Sequence, residues 1–267
     1  MRGVITLITD YGLREGYVGA LKGVILTLAP KARIVDITHE IAPGGIDSAA
    51  FVLSTIIPWY PSGTVHLVVV DPGVGSARRG LVIESGGCLF VGPDNGCLEP
   101  AFTRDPAFNC FELTASRYRL ARVSATFHGR DIFAPAAAHL ALGIKPEKFG
   151  APVHDPFRLT FADGKQIGPD RLSGRVIHAD RFGNLITDIT GEELLVLAAD
   201  LSGLEVSIRG RRIRGISDFY GQAGAGSLLA LIGGSGRLEV ALSRGSALEE
   251  LGQEATAAEV TVTRVTG

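Results

Sequence analysis

Cysteine is scarce in this chain and does not pair: Cys88, Cys97 and Cys110 form no Cys-x-x-Cys and stand at no zinc-finger spacing to a histidine pair. A disulfide framework and a structural zinc motif are thereby excluded, and the three read as buried thiols of a reducing cytoplasm. Neither sign of charge is in excess, since 26 Lys+Arg against 28 Asp+Glu leave a net charge of −2. The basic stripe that steers a protein to nucleic acid or anionic lipid is missing, so neither partner is expected. Long apolar runs are missing too. Asp, Lys, His or Pro breaks each stretch before the roughly 18 residues needed to cross a bilayer. The run that follows Met1-Arg2 stops at Asp10 after about seven residues without a small-x-small cleavage site, and reads as a first strand rather than a secretion signal. A soluble, cytoplasmic protein is expected. There is no Gly-x-Ser-x-Gly elbow, no Walker loop, no Gly-x-Gly-x-x-Gly and no internal repeat. His39, His66, His139, His154 and His178 have no metal-ligand spacing, so no metal is assigned.

What is present is ordinary for a folded protein: 267 residues, 46% hydrophobic and 20% charged, enough for one large or two modest domains. Strand-length apolar runs at 4–9, 33–37, 64–70, 81–85 and 88–91 alternate with helix-period stretches at 15–29, 46–57 and 131–143. That alternation predicts an N-terminal α/β domain with a mainly parallel sheet covered on both faces. Val18, Leu21, Val24, Ile25 and Leu28 recur at helical steps until Ala29-Pro30 closes the element. After Pro146 the texture turns polar through His154-Asp155-Pro156, Asp163-Gly164 and Gly168-Pro169-Asp170, which places a boundary near residue 166. Beyond it, short β-rich runs at 172–178, 184–189, 204–208, 211–216, 228–232, 238–242 and 258–264 predict a smaller β-barrel or sandwich. The domains are thus 1–165 and 166–267.

Ligands of parallel sheets bind at the carboxyl ends of strands, and three such ends are polar here. Thr9-Asp10-Tyr11-Gly12 follows the first run, and Asp10 either accepts a vicinal diol or caps the helix opening near Leu13. Asp71-Pro72-Gly73-Val74-Gly75 leads to Arg78, with Asp71 and Arg78 seven residues apart, so the chain can turn back and let the two converge. The two glycines are anion-binding or simply a tight turn. His128, in Thr126-Phe127-His128-Gly129-Arg130-Asp131, heads a helix; it joins the other two to hold and activate a water, or is a structural histidine. Asp131 reads equally as an N-cap with Pro135 one turn on. In the second domain Asp180-Arg181-Phe182-Gly183-Asn184 offers carboxylate, ring and amide to a planar base, or forms a plain turn. Phe219-Tyr220-Gly221 is a further loop of the same kind.

Taken together, these four ordered motifs, with Ile5-Thr6-Leu7-Ile8 leading the first and Leu185-Ile186-Thr187 closing the last, resemble the S-adenosyl-L-methionine (SAM) hydrolases that form adenosine. The same family is called the SAM hydroxide adenosyltransferases and is related to the SAM-dependent fluorinase and chlorinase. The resemblance implies an α/β domain joined to a β-barrel, in a homotrimer whose active sites lie between neighbouring subunits. It implies catalytic roles for Asp71, Arg78 and His128, a ribose contact at Asp10 beside Tyr11, and a sugar pocket lined by Phe127. By the same likeness Asp180, Phe182 and Asn184 receive methionine and adenosine, and Phe219 borders the adenine. Ser243, which stands where the family commonly has Asn, falls by the same likeness at the adenine edge. No cofactor is implied, SAM and water being the substrates.

The implied reaction is in-line attack of an activated water on the ribose 5′ carbon, releasing adenosine and L-methionine, with action on the (R)-sulfonium epimer part of the likeness. A halide-using transferase is the first alternative. The halogenating relatives lack the Asp and His of the trio, and this chain has both. A non-catalytic SAM or adenosine sensor is the second.

Overall fold

The most aliphatic run of the sequence lies inside a sheet covered on both faces, as its composition requires. The computed structural model describes residues 3–159 and 166–265. It divides into two units, Met1–Leu159 and Thr160–Gly267. The first contains β1 (Val4–Thr9), α1 (Tyr17–Leu28), β2 (Arg33–Thr38), α2 (Ile46–Ile56), β3 (Val65–Val69), β4 (Gly80–Ser85), β5 (Cys88–Pro93), α3 (Glu99–Arg104), β6 (Asn109–Glu112) and α4 (Ala134–Ala141). Its strands lie in the order β2-β1-β3-β5-β4-β6. The first four run parallel, while β4 is antiparallel to both β5 and β6.

Side chains alternate across β3, and the two cores follow that period. Val65, Leu67 and Val69 pack with Leu21 and Ile25 of α1 and Ala136 and Leu140 of α4. Val68 and Val70 pack on the other face with Ala49 and Leu53 of α2 and Ala101 and Phe102 of α3. The mainly parallel sheet is therefore as expected, with one local reversal. Gly86 and Gly87, both at positive φ (52° and 79°), make the two-residue turn that folds β4 back on β5.

The second unit contains β7 (Gln166–Ile167), β8 (Arg171–Ala179), β9 (Leu185–Thr190), α5 (Gly191–Leu197), β10 (Leu204–Ile208), β11 (Arg211–Arg214), β12 (Leu228–Ile232), β13 (Arg237–Leu242), α6 (Ala247–Leu251) and β14 (Glu259–Arg264). The strand order is β11-β10-β14-β8-β9-β13-β12, with β7 on β8, and each named pair is antiparallel. An isolated bridge from Ser217 to Leu231 links the chain after β11 to β12, so the sheet nearly closes as a barrel. Leu172, Val206, Leu238 and Val260 meet in its core.

The division between the units falls before residue 166. Arg158 and the Leu159 amide both donate to Glu99, which ties that stretch to the first unit. The Asp163-Gly164 turn signal lies outside the described residues.

Candidate active site

Strand ends of the parallel sheet deliver the first group of residues. Asp71 follows β3 at one remove, and its loop is held from behind: Asn95 donates to the carbonyl of Val70 (2.9 Å), and Arg79 donates to Asp94 (2.7 Å). Gly75 adopts φ +81°, and a Cβ there would come within 2.4 Å of the Ala125 carbonyl. That close approach lays the Asp71–Arg78 loop on the segment leading to His128, and the loop turns tightly, the amides of Val74 and Ser76 donating to the carbonyls of Asp71 and Gly73 (3.2 and 3.1 Å).

The chain turns back as the spacing allows. The Arg78 Nε donates to both oxygens of Asp71 (2.9 and 3.1 Å), and Nη2 donates to Oδ2 as well. The same Nη2 lies 2.8 Å from Nδ1 of His128. A guanidinium has no lone pair to offer, so Nδ1 is the acceptor and the neutral ring carries its proton on Nε2. Burial, then the neighbouring Arg78 charge, push the His128 pKa below its ordinary value. Phe133 lies under the guanidinium, 5.2 Å from ring centre to Cζ.

His128 opens a π-helical turn, Gly129–Phe133, that runs into α4. Asp131 is consequently not an N-cap. It lies inside that turn, fully buried, paired with Arg130 and accepting from the Ser124 amide at 2.8 Å. Asp10 caps no helix either, because α1 begins after Gly16. Its Oδ2 accepts from the Gly44 amide at 2.9 Å, and among the described residues no donor reaches Oδ1. Tyr11 packs with Tyr17 and Phe127, with ring centres 5.3 to 5.9 Å apart. Burial first, then Asp10 and Asp71, raise its pKa. Its hydroxyl occupies the space a Cβ on Gly129 would need.

A second group of residues belongs to the other unit. Between β8 and β9, Asp180 Oδ1 accepts from the amides of Phe182 and Asn184, and Oδ2 from the Asn184 side chain, each at 2.9 Å. The segment is a real turn, organised by its own carboxylate. Its ring is left outside: Phe182 is 76% exposed. A cleft of about 540 Å³ is lined by Asp180, Phe182, Asn184, Tyr220, Leu242 and Arg244, with Gly245. Phe219 is exposed and not part of that lining, and Ser243 is buried with its hydroxyl donated to the Ala223 carbonyl at 3.0 Å.

Sequence reasoning passed over Arg244 and Glu239. Arg244 has φ +58°, an unusual backbone for a residue with a side chain, which no spacing pattern could signal. Glu239, buried on β13, accepts from the Tyr220 hydroxyl at 2.9 Å. Burial pushes the Glu239 carboxyl up; burial, then this hydrogen bond, pushes the Tyr220 phenol up to about 12.

The SAM hydroxide adenosyltransferase N-terminal domain matches residues 5–150, and the C-terminal domain of that family matches residues 174–258. The chain belongs to the SAM hydroxide adenosyltransferase family.

Relatives in that family agree. The chain is 42% identical over 257 residues to the (R)-S-adenosyl-L-methionine hydrolase of Thermus thermophilus, covering 93% of this chain and 95% of the relative. It is 40% identical over 251 residues to the hydrolase of the same name from Salinispora arenicola, covering 92% and 93%. A fluorinase from Actinoplanes is more distant, at 25% over 217 residues, covering 72% and 73%. An uncharacterized conserved protein from Thermotoga maritima has a similar crystal structure, with a TM-score of 0.88 at 33% identity, covering 97% of this chain and 100% of that one. Among the described residues no group of His, Cys, Asp and Glu is placed to hold a metal ion, and no helix is long and apolar enough to cross a membrane.

Proposed function

We propose that this protein hydrolyses SAM, the (R)-sulfonium epimer in particular, to adenosine and L-methionine, without a cofactor. The observation that carries the reading is the junction of Asp71, Arg78 and His128 through one guanidinium. Arg78 Nη1 makes no hydrogen bond among the described residues, and His128 Nε2 holds the ring proton. Two donors thus remain for an oxygen nucleophile, while Asp71 offsets the charge of the guanidinium. Such a pair of donors favours hydroxide over water in a desolvated site. The oxygen attacks the 5′ carbon, the C5′–S bond breaks, and the electron pair returns to sulfur as a neutral thioether that needs no acid. The proton lost by the attacking water passes to solvent. Holding oxygen, carbon and sulfur in line supplies the proximity term.

In this reading Asp10 accepts the ribose diol with Tyr11 and Phe127 beside it, which the open Oδ1 of Asp10 supports. The second unit receives the rest of the substrate: Phe182 stacks on adenine, Asp180 and Asn184 shape the cleft, and Arg244 offers a cation to the methionine carboxylate. Phe219 borders the adenine and Ser243 only supports the cleft from behind. Residues 1–165 thereby activate the nucleophile and 166–267 hold the leaving group, with complete sites formed between subunits of a homotrimer. The cytoplasm suits the buried free thiols Cys88, Cys97 and Cys110.

The test is incubation with separated (R)- and (S)-SAM, without metal or halide, followed by chromatography. Equimolar adenosine and methionine from the (R) epimer are expected. Tight SAM binding without either product would make the protein a sensor, and 5′-halogenated nucleoside on adding halide would make it a transferase.

A further inference from the structure

Arg130 and Asp131 have no part in the scheme above, yet a fully buried carboxylate is costly unless it is paired and hydrogen-bonded, and the partners of Asp131 all lie in the chain around His128. Asp131 is tied at both ends of the segment that carries His128. Its Oδ2 accepts from the Ser124 amide (2.8 Å) and its backbone carbonyl from the Leu120 amide (2.9 Å). Arg130 closes the arrangement. Its guanidinium donates to both oxygens of Asp131 (2.6 and 3.0 Å) and lies over the ring of Phe127, 4.8 Å from the centroid. Phe127 in turn packs on Tyr11 and Tyr17, and the Ala125 carbonyl rests against Gly75 in the Asp71–Arg78 loop. The π-helical turn begins directly after His128, and the amides of Arg130 and Asp131 both donate to the Phe127 carbonyl (3.2 and 3.1 Å).

We propose that Arg130 and Asp131 form a positioning pair for the active site, holding residues 124–128 so that His128 Nδ1 stays within reach of Arg78 and Phe127 stays on its aromatic neighbours. The kinetic part of this inference rests on the proposed function; the structural part does not. Asp71, Arg78, Arg119 and Asp131 are the charged groups that act on the His128 ring. Of these the carboxylates raise its pKa, and the two arginines lower it together with burial.

Three variants test the pair: Arg130→Gln, Arg130→Lys and Asp131→Asn. Turnover of (R)-SAM is measured alongside NMR titration of the His128 ring, assigned by comparison with His128→Gln. A displaced His128 lowers kcat about 10- to 100-fold in Arg130→Gln and Asp131→Asn, with KM within about threefold, and Arg130→Lys recovers part of the loss. In Arg130→Gln a ring drawn away from Arg78 and out of burial titrates at higher pH, whereas Asp131→Asn also removes an attractive charge and is read by kcat alone. Wild-type kcat in both variants with an unmoved His128 titration in Arg130→Gln would overturn the proposal, as would a raised KM at unchanged kcat. If Asp131→Asn does not fold, the half-exposed Arg130 carries the test through its Gln and Lys variants. Absence of product from the wild-type protein would instead defeat the proposed function, and the His128 titration in Arg130→Gln would still decide the positioning role.

Discussion

In the first unit the residues assigned to the nucleophile are charged and nearly buried, with side-chain exposures of 6% for Asp71 and 12% for Arg78, whereas in the second unit Phe182 stands mostly in solvent beside an open cleft. The first arrangement is completed by its own ion pair and needs no ligand to order it. In the second, Asp180 fixes the backbone of the turn and leaves the aromatic face open. Chemistry demands fixed dipoles at the reacting atoms, while substrate entry demands a surface not yet covered. The two regions therefore respond differently to substitution.

The sharpest contrast comes from Arg78→Met. Removing one partner of a nearly buried pair leaves Asp71 uncompensated, so a loss of about 3–5 kcal/mol in stability is expected together with loss of turnover. Combining it with Asp71→Leu restores much of the stability and none of the activity, which thermal melts and product assays on the two variants check. Milder changes separate binding from chemistry: Asp71→Asn or His128→Ala keeps SAM binding by calorimetry while turnover falls at least about 100-fold. Near-normal turnover in both would remove the assigned roles.

Gly129→Ala breaks the first region sterically. Its Cβ would lie 2.3 Å from the Tyr11 hydroxyl, so a destabilisation of about 1–3 kcal/mol is expected, and Tyr11→Phe in the same chain relieves part of it. In the second region Phe182→Ala changes the melting free energy by less than about 0.5 kcal/mol but raises KM for SAM roughly tenfold, the loss of one stacking surface. An equal loss of stability in Phe182→Ala would erase the distinction between the regions. The smallest effect is in pH. Burial and Arg78 hold His128 neutral, so its protonation is shifted to lower pH. His128 itself therefore adds no pH dependence to kcat above about pH 6.5 and lowers kcat only as pH falls below that ordinary histidine value.

Much of this was legible in the amino-acid order, and the reasons are local. The run 64–70 announces a two-faced strand because both neighbours' faces demand apolar contact, and β3 lies there. The barrel strands were readable because glycine and aspartate turns separate them, as at Arg209-Gly210, both at positive φ. Edge strand β6 was missed, since Asn109–Glu112 is four residues long with a single buried side chain, Cys110, too short to show a period. The π-helical turn escaped for a different reason. A one-residue expansion of a helix leaves no mark on hydrophobic spacing, so Asp131 looked like a cap when its carboxylate is buried against Ser124 and Arg130. Of the two readings of Asp10 the cap fails, because its partner, the Gly44 amide, lies 34 residues away. Motif order pointed to Asp71, Arg78 and His128, but only the fold reveals that one nitrogen of Arg78 serves both partners.

The central claim is that an oxygen from solvent attacks the ribose 5′ carbon at the Asp71, Arg78 and His128 junction. Turnover of (R)-SAM in ¹⁸O-labelled water, followed by mass spectrometry of both products, tests it most directly. One ¹⁸O atom in the 5′ hydroxyl of adenosine, none in methionine, and loss of the labelled product in His128→Ala are predicted. Adenosine without the label, or labelled adenosine formed at the wild-type rate by His128→Ala, would contradict it.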